Sequence, residues 1–376
     1  MKKVIFIFGT RPEAIKMVPI INRFKKDTVN FKTFVCVTAQ HREMLDQVLS
    51  LFKIVPDYDL NLMSPNQSLE KLTSNILLGL DDILLSLNPD IVFVQGDTTT
   101  TFTTALACYY KQIPVAHIEA GLRTNDIYSP FPEEVNRRLT TSIAEFHFPP
   151  TKKSKENLLN EGISEDKISL TGNTGIDTLL KVSSKIDVNE KKYNKLFFND
   201  FGISFNNSKT ILITGHRREN FGQGLNNIFK AIKKIAMNNN LQFIYPLHLN
   251  PNVIAPAKRI LGNLKNVFLI PPQDYLPFIF LMKKSHIILT DSGGVQEEAP
   301  SLGKPILVMR DKTERPEGVE AGTAKIVGTD METIISSIDL LIKNNDAYNN
   351  MSKAANPYGD GKASVKIYNY IKGKLI

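Results

Sequence analysis

Short apolar runs exchange with longer amphipathic stretches along this chain, and that alternation constrains the fold more than any other feature. The spacing predicts strands over 3–8, 31–38, 91–95 and 115–118, with helices over 11–27, 41–52, 69–88 and 101–111 between them. A run such as Ile91-Val92-Phe93-Val94 has no polar alternation, so it suits a strand buried on both faces. Strand, helix, strand with short connections means α/β architecture, a parallel sheet covered by helices on each side.

The pattern restarts downstream. Strands are expected over 210–214, 242–246, 267–269, 287–290 and 305–308, with helices over 225–238, 253–261, 275–284 and 295–302. The stretch 182–208 is polar and rich in Lys and Asn, and is read as a linker. Two doubly wound, Rossmann-like halves with a cleft between them are therefore expected. Ligands in such sheets sit beyond the carboxyl ends of the strands, so the residues just after each strand are the candidates.

The composition excludes several classes. With 376 residues and 42% hydrophobic content the chain is long and apolar enough for two packed domains. The two cysteines, Cys36 and Cys108, stand in apolar surroundings and read as buried free thiols. No Cys and His spacing resembles a zinc site. Lys2 and Lys3 precede only a short apolar run before Gly9, too little for a secretory signal, and no membrane-length apolar segment occurs. The expectation is a cytoplasmic protein with no membrane partner. The net charge of +8 carries no nucleic-acid motif, and a small anionic ligand fits it as well as solubility does.

After the first strand comes Gly9-Thr10-Arg11-Pro12-Glu13, which is neither a dinucleotide fingerprint nor a P-loop. Pro12 suits a first helical turn, and Arg11 beside it makes an anion-friendly helix start. Asp97 and Glu119 emerge at the ends of the strands 91–95 and 115–118. An N-cap role alone would explain Asp97. Two carboxylates at neighbouring strand ends also suit acid and base work. Pro132 followed by Glu133 and Glu134 reads as a helix start, and Glu133 with Arg137 as an i,i+4 ion pair. In the second half, Ser292-Gly293-Gly294 joins a strand to a helix and leaves backbone N–H groups open to a phosphate. Glu298 follows one turn on, within reach of ribose hydroxyls. His216, after strand 210–214, stands beside Arg217 and Arg218, where an anion or proton-transfer role gains ground.

These strings occur together with Gln95-Gly96-Asp97-Thr98-Thr99-Thr100, His117-Ile118-Glu119-Ala120-Gly121-Leu122-Arg123, Thr214-Gly215-His216-Arg217-Arg218-Glu219-Asn220, Lys312-Thr313-Glu314-Arg315-Pro316-Glu317 and Asn356-Pro357-Tyr358-Gly359-Asp360-Gly361. In this order they closely resemble the non-hydrolysing UDP-N-acetylglucosamine 2-epimerase family. The resemblance implies a fold of the glycosyltransferase-B type, with domains over 1–175 and 176–357 and a C-terminal helix, 358–376, packing back on the first. It implies interconversion of UDP-N-acetylglucosamine and UDP-N-acetylmannosamine for cell-surface polysaccharide, through elimination of UDP to a 2-acetamidoglucal and re-addition.

By the same likeness Asp97, Glu119 and Glu133 are catalytic, with His216 assisting. Arg11, Lys16, Arg137, Gln273, Phe278, Ser292, Gly293, Gly294, Glu298 and Arg315 bind substrate, Phe278 against the uracil. No cofactor and no metal are implied. Gln40 and His41 match a segment where bacterial members bind the same sugar nucleotide as activator, and a homodimer is expected. Rival readings are an epimerase of a modified UDP-amino sugar, a glycosyltransferase of the same build, a hydrolysing relative, and a module that only binds nucleotide.

Overall fold

A computed structural model of the chain describes residues 1–39, 42–62, 64, 67–206, 208–237 and 241–376, apart from the Glu43 side chain. It divides into two units, Met1–Thr178 with Gly359–Ile376, and Leu179–Tyr358. Gln40 and His41 lie outside the described residues.

The first unit runs β1 (Lys2–Phe8), α1 (Arg11–Lys26), β2 (Phe31–Val37), α2 (Arg42–Phe52), β3 (Tyr58–Asp59), α3 (Leu69–Leu87), β4 (Ile91–Gln95), α4 (Thr99–Tyr110), β5 (Val115–Ile118), α5 (Glu133–Ile143), β6 (Phe146–Phe148) and α6 (Lys152–Asn160). Its strands pair in parallel in the order β3-β2-β1-β4-β5-β6. The central strands β1 and β4 are apolar almost throughout and buried from Val4 to Phe8 and from Ile91 to Gln95. Helix α3 shows why a polar-looking stretch becomes a helix. Leu72, Ile76, Leu80, Leu84 and Leu87 recur at helical spacing and bury one stripe against the sheet's core, while Ser68 caps the start through the Lys71 N–H and Asn88 ends it in the left-handed region. Truncating Leu80 to Ala would cost about 2–5 kcal/mol, the loss from a cavity in a fully packed core.

The expected linker is instead mostly helical. Helices α7 (Thr174–Val188) and α8 (Glu190–Phe201) fill it. Val182, Ile186, Tyr193 and Phe197 are buried, and their spacing was masked by the Lys and Asn around them. Tyr193 and Phe197 both stack on Phe280, with ring centroids 5.4 and 5.5 Å away.

The second unit continues with β7 (Lys209–Thr214), α9 (Gln223–Ala236), β8 (Leu241–Pro246), α10 (Pro251–Leu261), β9 (Val267–Ile270), α11 (Tyr275–Lys284), β10 (Ile287–Thr290), α12 (Gly293–Glu298), β11 (Ile306–Val308), α13 (Pro316–Glu320), β12 (Ala324–Ile326), α14 (Met331–Lys343) and α15 (Asn345–Ser352). Its parallel sheet has the order β12-β11-β10-β7-β8-β9. Counted from each unit's first strand, both sheets follow the doubly wound order 3-2-1-4-5-6. The helix expected over 295–302 begins earlier, at Gly293, and gives way at Ala299 to a 3₁₀ turn.

The last helix, α16 (Ala363–Leu375), belongs to the first unit. Its own N-cap, Lys362, offers no side-chain acceptor. Asp177 of α7 supplies one, accepting from Ala363 N at 3.1 Å, Ser364 N at 2.9 Å and the Ser364 hydroxyl at 2.6 Å. Tyr368 packs edge-on against Phe24, 5.2 Å between centroids, and hydrogen-bonds Asp27. Among the described residues no helix is long and apolar enough to cross a membrane.

Candidate active site

In each doubly wound sheet the strand order reverses at one place, between β1 and β4 in the first unit and between β7 and β10 in the second. Crevices form outside the carboxyl ends of the strands at such switch points. The loops after these four strands carry Arg11, Asp97, His216 and Ser292-Gly293-Gly294, so topology singles out the same segments as the motifs do.

The first unit's groups are fixed from below by a buried carboxylate. Glu13 is 2% exposed and accepts from Gly9 N at 3.1 Å, Thr10 N at 2.8 Å and the Thr98 hydroxyl at 2.8 Å. It thereby ties the loop after β1 to the loop after β4. Burial pushes its carboxyl above the usual range, against those donors, which pull it down. Thr10 and Glu13 form a capping box, with Arg11 and Pro12 opening the first turn of α1. Sequence reading passed over Glu13, although Thr10-x-x-Glu13 before an apolar stretch is that motif's signature.

Asp97 is not the N-cap of α4. Thr98 is, its hydroxyl accepting from Thr101 N at 3.1 Å. The Asp97 carboxylate is left for other work and meets the Arg137 guanidinium at 2.5 Å. Arg137 also reaches Glu134 at 3.3 Å, and Asn136 donates to the Asp97 carbonyl at 3.0 Å. The expected Glu133–Arg137 pair does not form, because Arg137 turns instead to Asp97 and Glu134. Glu133 Oε2 is buried without a hydrogen-bond partner among the described residues.

Glu119 follows β5 with φ +65°, the left-handed region, which costs a non-glycine residue about 1–3 kcal/mol and marks a position held by its surroundings. Both of its carboxylate oxygens lie on the Lys16 ammonium, at 2.5 and 2.6 Å, and Gln95 donates its amide to one of them. Lys16 thus sits on a candidate catalytic carboxylate. Gly96, at φ +73°, passes close by: a Cβ there would come within 3.7 Å of Glu119 Oε2. The Gly96 carbonyl is held by His117 Nε2 at 2.7 Å. Burial pushes the His117 imidazole down to about 4, so the ring is neutral and Nε2 carries the proton it donates.

In the second unit Asp291 is the buried anchor. It is wholly inaccessible, and its Oδ2 accepts from His216 N and Arg217 N, both at 2.8 Å. Oδ1 lies 3.5 Å from His216 Nδ1. Burial lowers the His216 imidazole below its ordinary range; Asp291 pulls it upward, while His248 and Arg217 push it down. Ser292 precedes α12, whose first residues are the two glycines. A Cβ on Gly294 would meet nothing within 4 Å, and one on Gly293 would stand 3.7 Å from Arg315 Nη2. The Ser292 N–H is taken by the Thr290 hydroxyl at 2.9 Å, so it is the first-turn N–H groups of the two glycines, with a guanidinium beside them, that border an open turn. Arg315 is itself held by Glu297, and its carbonyl accepts from the Tyr358 hydroxyl at 3.2 Å. Gln273 precedes α11 and donates to the Pro271 carbonyl at 2.8 Å; the partly buried Phe278 is on α11, and Glu298 ends α12.

So the first unit gathers Asp97 with Arg137 and Glu119 with Lys16, and the second gathers His216, Asp291, the diglycine turn and Arg315. No sequence signal gives Gln95 or Asp291 a role; their contacts in three dimensions show that they orient the groups around them.

The family model of UDP-N-acetylglucosamine 2-epimerase matches residues 22–372. The UDP-N-acetylglucosamine 2-epimerase of Escherichia coli K12 is 55% identical over 375 residues, covering 100% of this chain and 99% of that protein. The crystal structure of UDP-GlcNAc 2-epimerase from Neisseria meningitidis, bound to UDP-GlcNAc, has a TM-score of 0.90 at 54% identity, covering 99% of this chain and 100% of that one. The Methanocaldococcus jannaschii enzyme in complex with UDP-GlcNAc and UDP is more distant, with a TM-score of 0.79 at 35% identity and 99% of each chain covered. A match of this extent, over the switch-point residues described above, places the chain in the UDP-N-acetylglucosamine 2-epimerase family.

Proposed function

We propose that this protein interconverts UDP-N-acetylglucosamine and UDP-N-acetylmannosamine by elimination and re-addition of UDP. The observation that carries the reading is the pair of strand-end carboxylates, Asp97 and Glu119, each oriented by its own cation, Arg137 or Lys16. The C2 proton is not next to a carbonyl and is hard to remove alone. In the elimination a carboxylate takes that proton, the C2–H electron pair becomes the C1=C2 double bond, and the C1–O pair leaves with the diphosphate. Protonation of the glucal from the opposite face and return of the diphosphate oxygen to C1 give the epimer.

Asp97, Glu119 and Glu133 are the acid–base groups, their separate surroundings supporting separate tasks. Glu133 offers a buried carboxylate oxygen that no donor among the described residues engages. Charge develops on the departing diphosphate, and donors fixed beforehand stabilise that charge more than the bound substrate. Arg11, the Ser292-Gly293-Gly294 turn and His216 serve there, with Arg315, Gln273, Phe278 and Glu298 holding the nucleotide. Arg137 is both substrate-facing and the partner of Asp97.

The same reading makes the protein a cytoplasmic homodimer; the exposed Leu78 and Leu85 of α3 and Tyr109 and Tyr110 of α4 support the pairing of two copies. It assigns Gln40 and His41 to an activating sugar nucleotide, and the product to cell-surface polysaccharide.

Incubating the purified protein with UDP-N-acetylglucosamine alone tests the reaction. The expected result is UDP-N-acetylmannosamine in equilibrium with substrate. Free N-acetylmannosamine with UDP would indicate a hydrolase, and turnover only with an acceptor would indicate a glycosyltransferase.

A further inference from the structure

We propose that His248 is a positioning residue for His216: its imidazole forms the flat wall that keeps Nδ1 of His216 on Asp291 and turns Nε2 toward the substrate. The inference rests on the epimerase reading for its catalytic consequence, but not for its geometry.

His248 follows β8, the strand next to β7, so both histidines leave the same edge of one sheet. Their rings lie nearly parallel, 11° apart, with centroids 5.3 Å from each other. His248 is exposed, and a hydrogen bond within its own loop tethers its ring. Its Nδ1 accepts the Asn250 N–H at 3.1 Å, which leaves the proton of the neutral ring on Nε2 and fixes the ring plane. Asn250 is in turn the cap of α10, its side chain accepting from Asn252 N at 2.9 Å. The wall is therefore built on a helix start.

His216 needs such a wall. Its backbone N–H is tied to Asp291, but its side chain is 42% exposed and its Nδ1 stands 3.5 Å from Asp291 Oδ1, a long contact. Asp291 Oδ1 is buried without a hydrogen-bond partner among the described residues. That contact constrains one atom of the imidazole and leaves rotation about it open; a second ring against its face removes that freedom. A group that must meet a departing diphosphate oxygen gains from being held there beforehand, and displacement by about 1 Å can cost about 10²-fold.

The test compares His248→Ala and His248→Phe, alone and with His216→Ala. With UDP-N-acetylglucosamine as substrate, His248→Ala is expected to lower kcat about 10- to 100-fold and to leave KM within about 3-fold. His248→Phe, which keeps the flat face, recovers most of that loss. In the His216→Ala background, His248→Ala changes kcat by less than about 2-fold, because the two act as one unit. Unchanged kcat in His248→Ala, an equal loss with and without His216, or a Phe variant as slow as Ala would each overturn the proposal.

A second readout is independent of the reaction. In protein labelled with ¹⁵N-histidine, the Nδ1–H signal of His216 is expected in the wild type and in His248→Phe, and is lost to exchange in His248→Ala. Its persistence in His248→Ala overturns the positioning role even in a fully active enzyme. The expected signals in a wild type that makes no epimer would instead leave the positioning role standing and remove the proposed function.

Discussion

Glu119 concentrates several constraints in one residue: a left-handed backbone, a salt bridge to Lys16 and a hydrogen bond from Gln95. Asp97 has the simpler setting of a guanidinium partner. Neutral isosteres keep the shape and remove the charge. Asp97→Asn and Glu119→Gln are each expected to lower kcat about 10²- to 10⁴-fold, while UDP affinity measured by calorimetry stays within about 3-fold of wild type. Near-normal turnover in both would refute the assignment. That the candidate residues follow parallel strands was legible in the sequence. What each does was less so. Asp97 reads as a cap until Thr98 is seen to take that role, and the Glu133–Arg137 spacing suggests a pair that Glu134 and Asp97 claim instead. Local spacing ranks neighbours along one helix but says nothing of a carboxylate arriving from another strand.

Among the elements, α16 depends on α7 for its cap. Removing the Asp177 carboxylate strands the Ala363 and Ser364 N–H groups and the Ser364 hydroxyl. Asp177→Ala should therefore cost about 1–3 kcal/mol in denaturant titration, with faster hydrogen exchange at the start of α16. Unchanged exchange there would contradict the capping role. Glu13 is the equivalent tie between the loops after β1 and β4. Glu13→Ala is expected to cost a similar amount, about 1–3 kcal/mol, and to lower kcat as well, since the Asp97 loop loses its anchor. A variant destabilised but fully active would separate the two effects and refute the second. Strands were the most legible elements, because continuous apolar runs such as 91–95 admit few alternatives. The helices over 182–201 were not, because a few buried side chains among many polar ones look like a linker until Phe280 is seen to cover Tyr193 and Phe197.

For the molecule as a whole, two buried histidines predict acid sensitivity. Burial lowers His117 to about 4 and His147 to about 3, whereas unfolded imidazoles titrate near ~6.5. Between the folded and unfolded values the unfolded chain binds more protons, so stability rises with pH across that window. It is fully present above about 6.5 and is lost as pH falls toward 4. Glu13 and Asp177, raised by burial, act in the opposite direction, so the contribution of His117 is isolated by comparison with His117→Asn. That variant is expected to show a shallower fall in urea midpoint between pH 7 and about 4.5 than wild type. Parallel curves would show that His117 contributes nothing.

The central claim is that one carbon is deprotonated and reprotonated while UDP departs and returns. Incubation with UDP-N-acetylglucosamine in D₂O, followed by ¹H NMR of the products, tests it most directly. The account predicts UDP-N-acetylmannosamine carrying solvent deuterium at C2, formed without an acceptor. Product that retains its C2 proton, or no epimer at all, would contradict it.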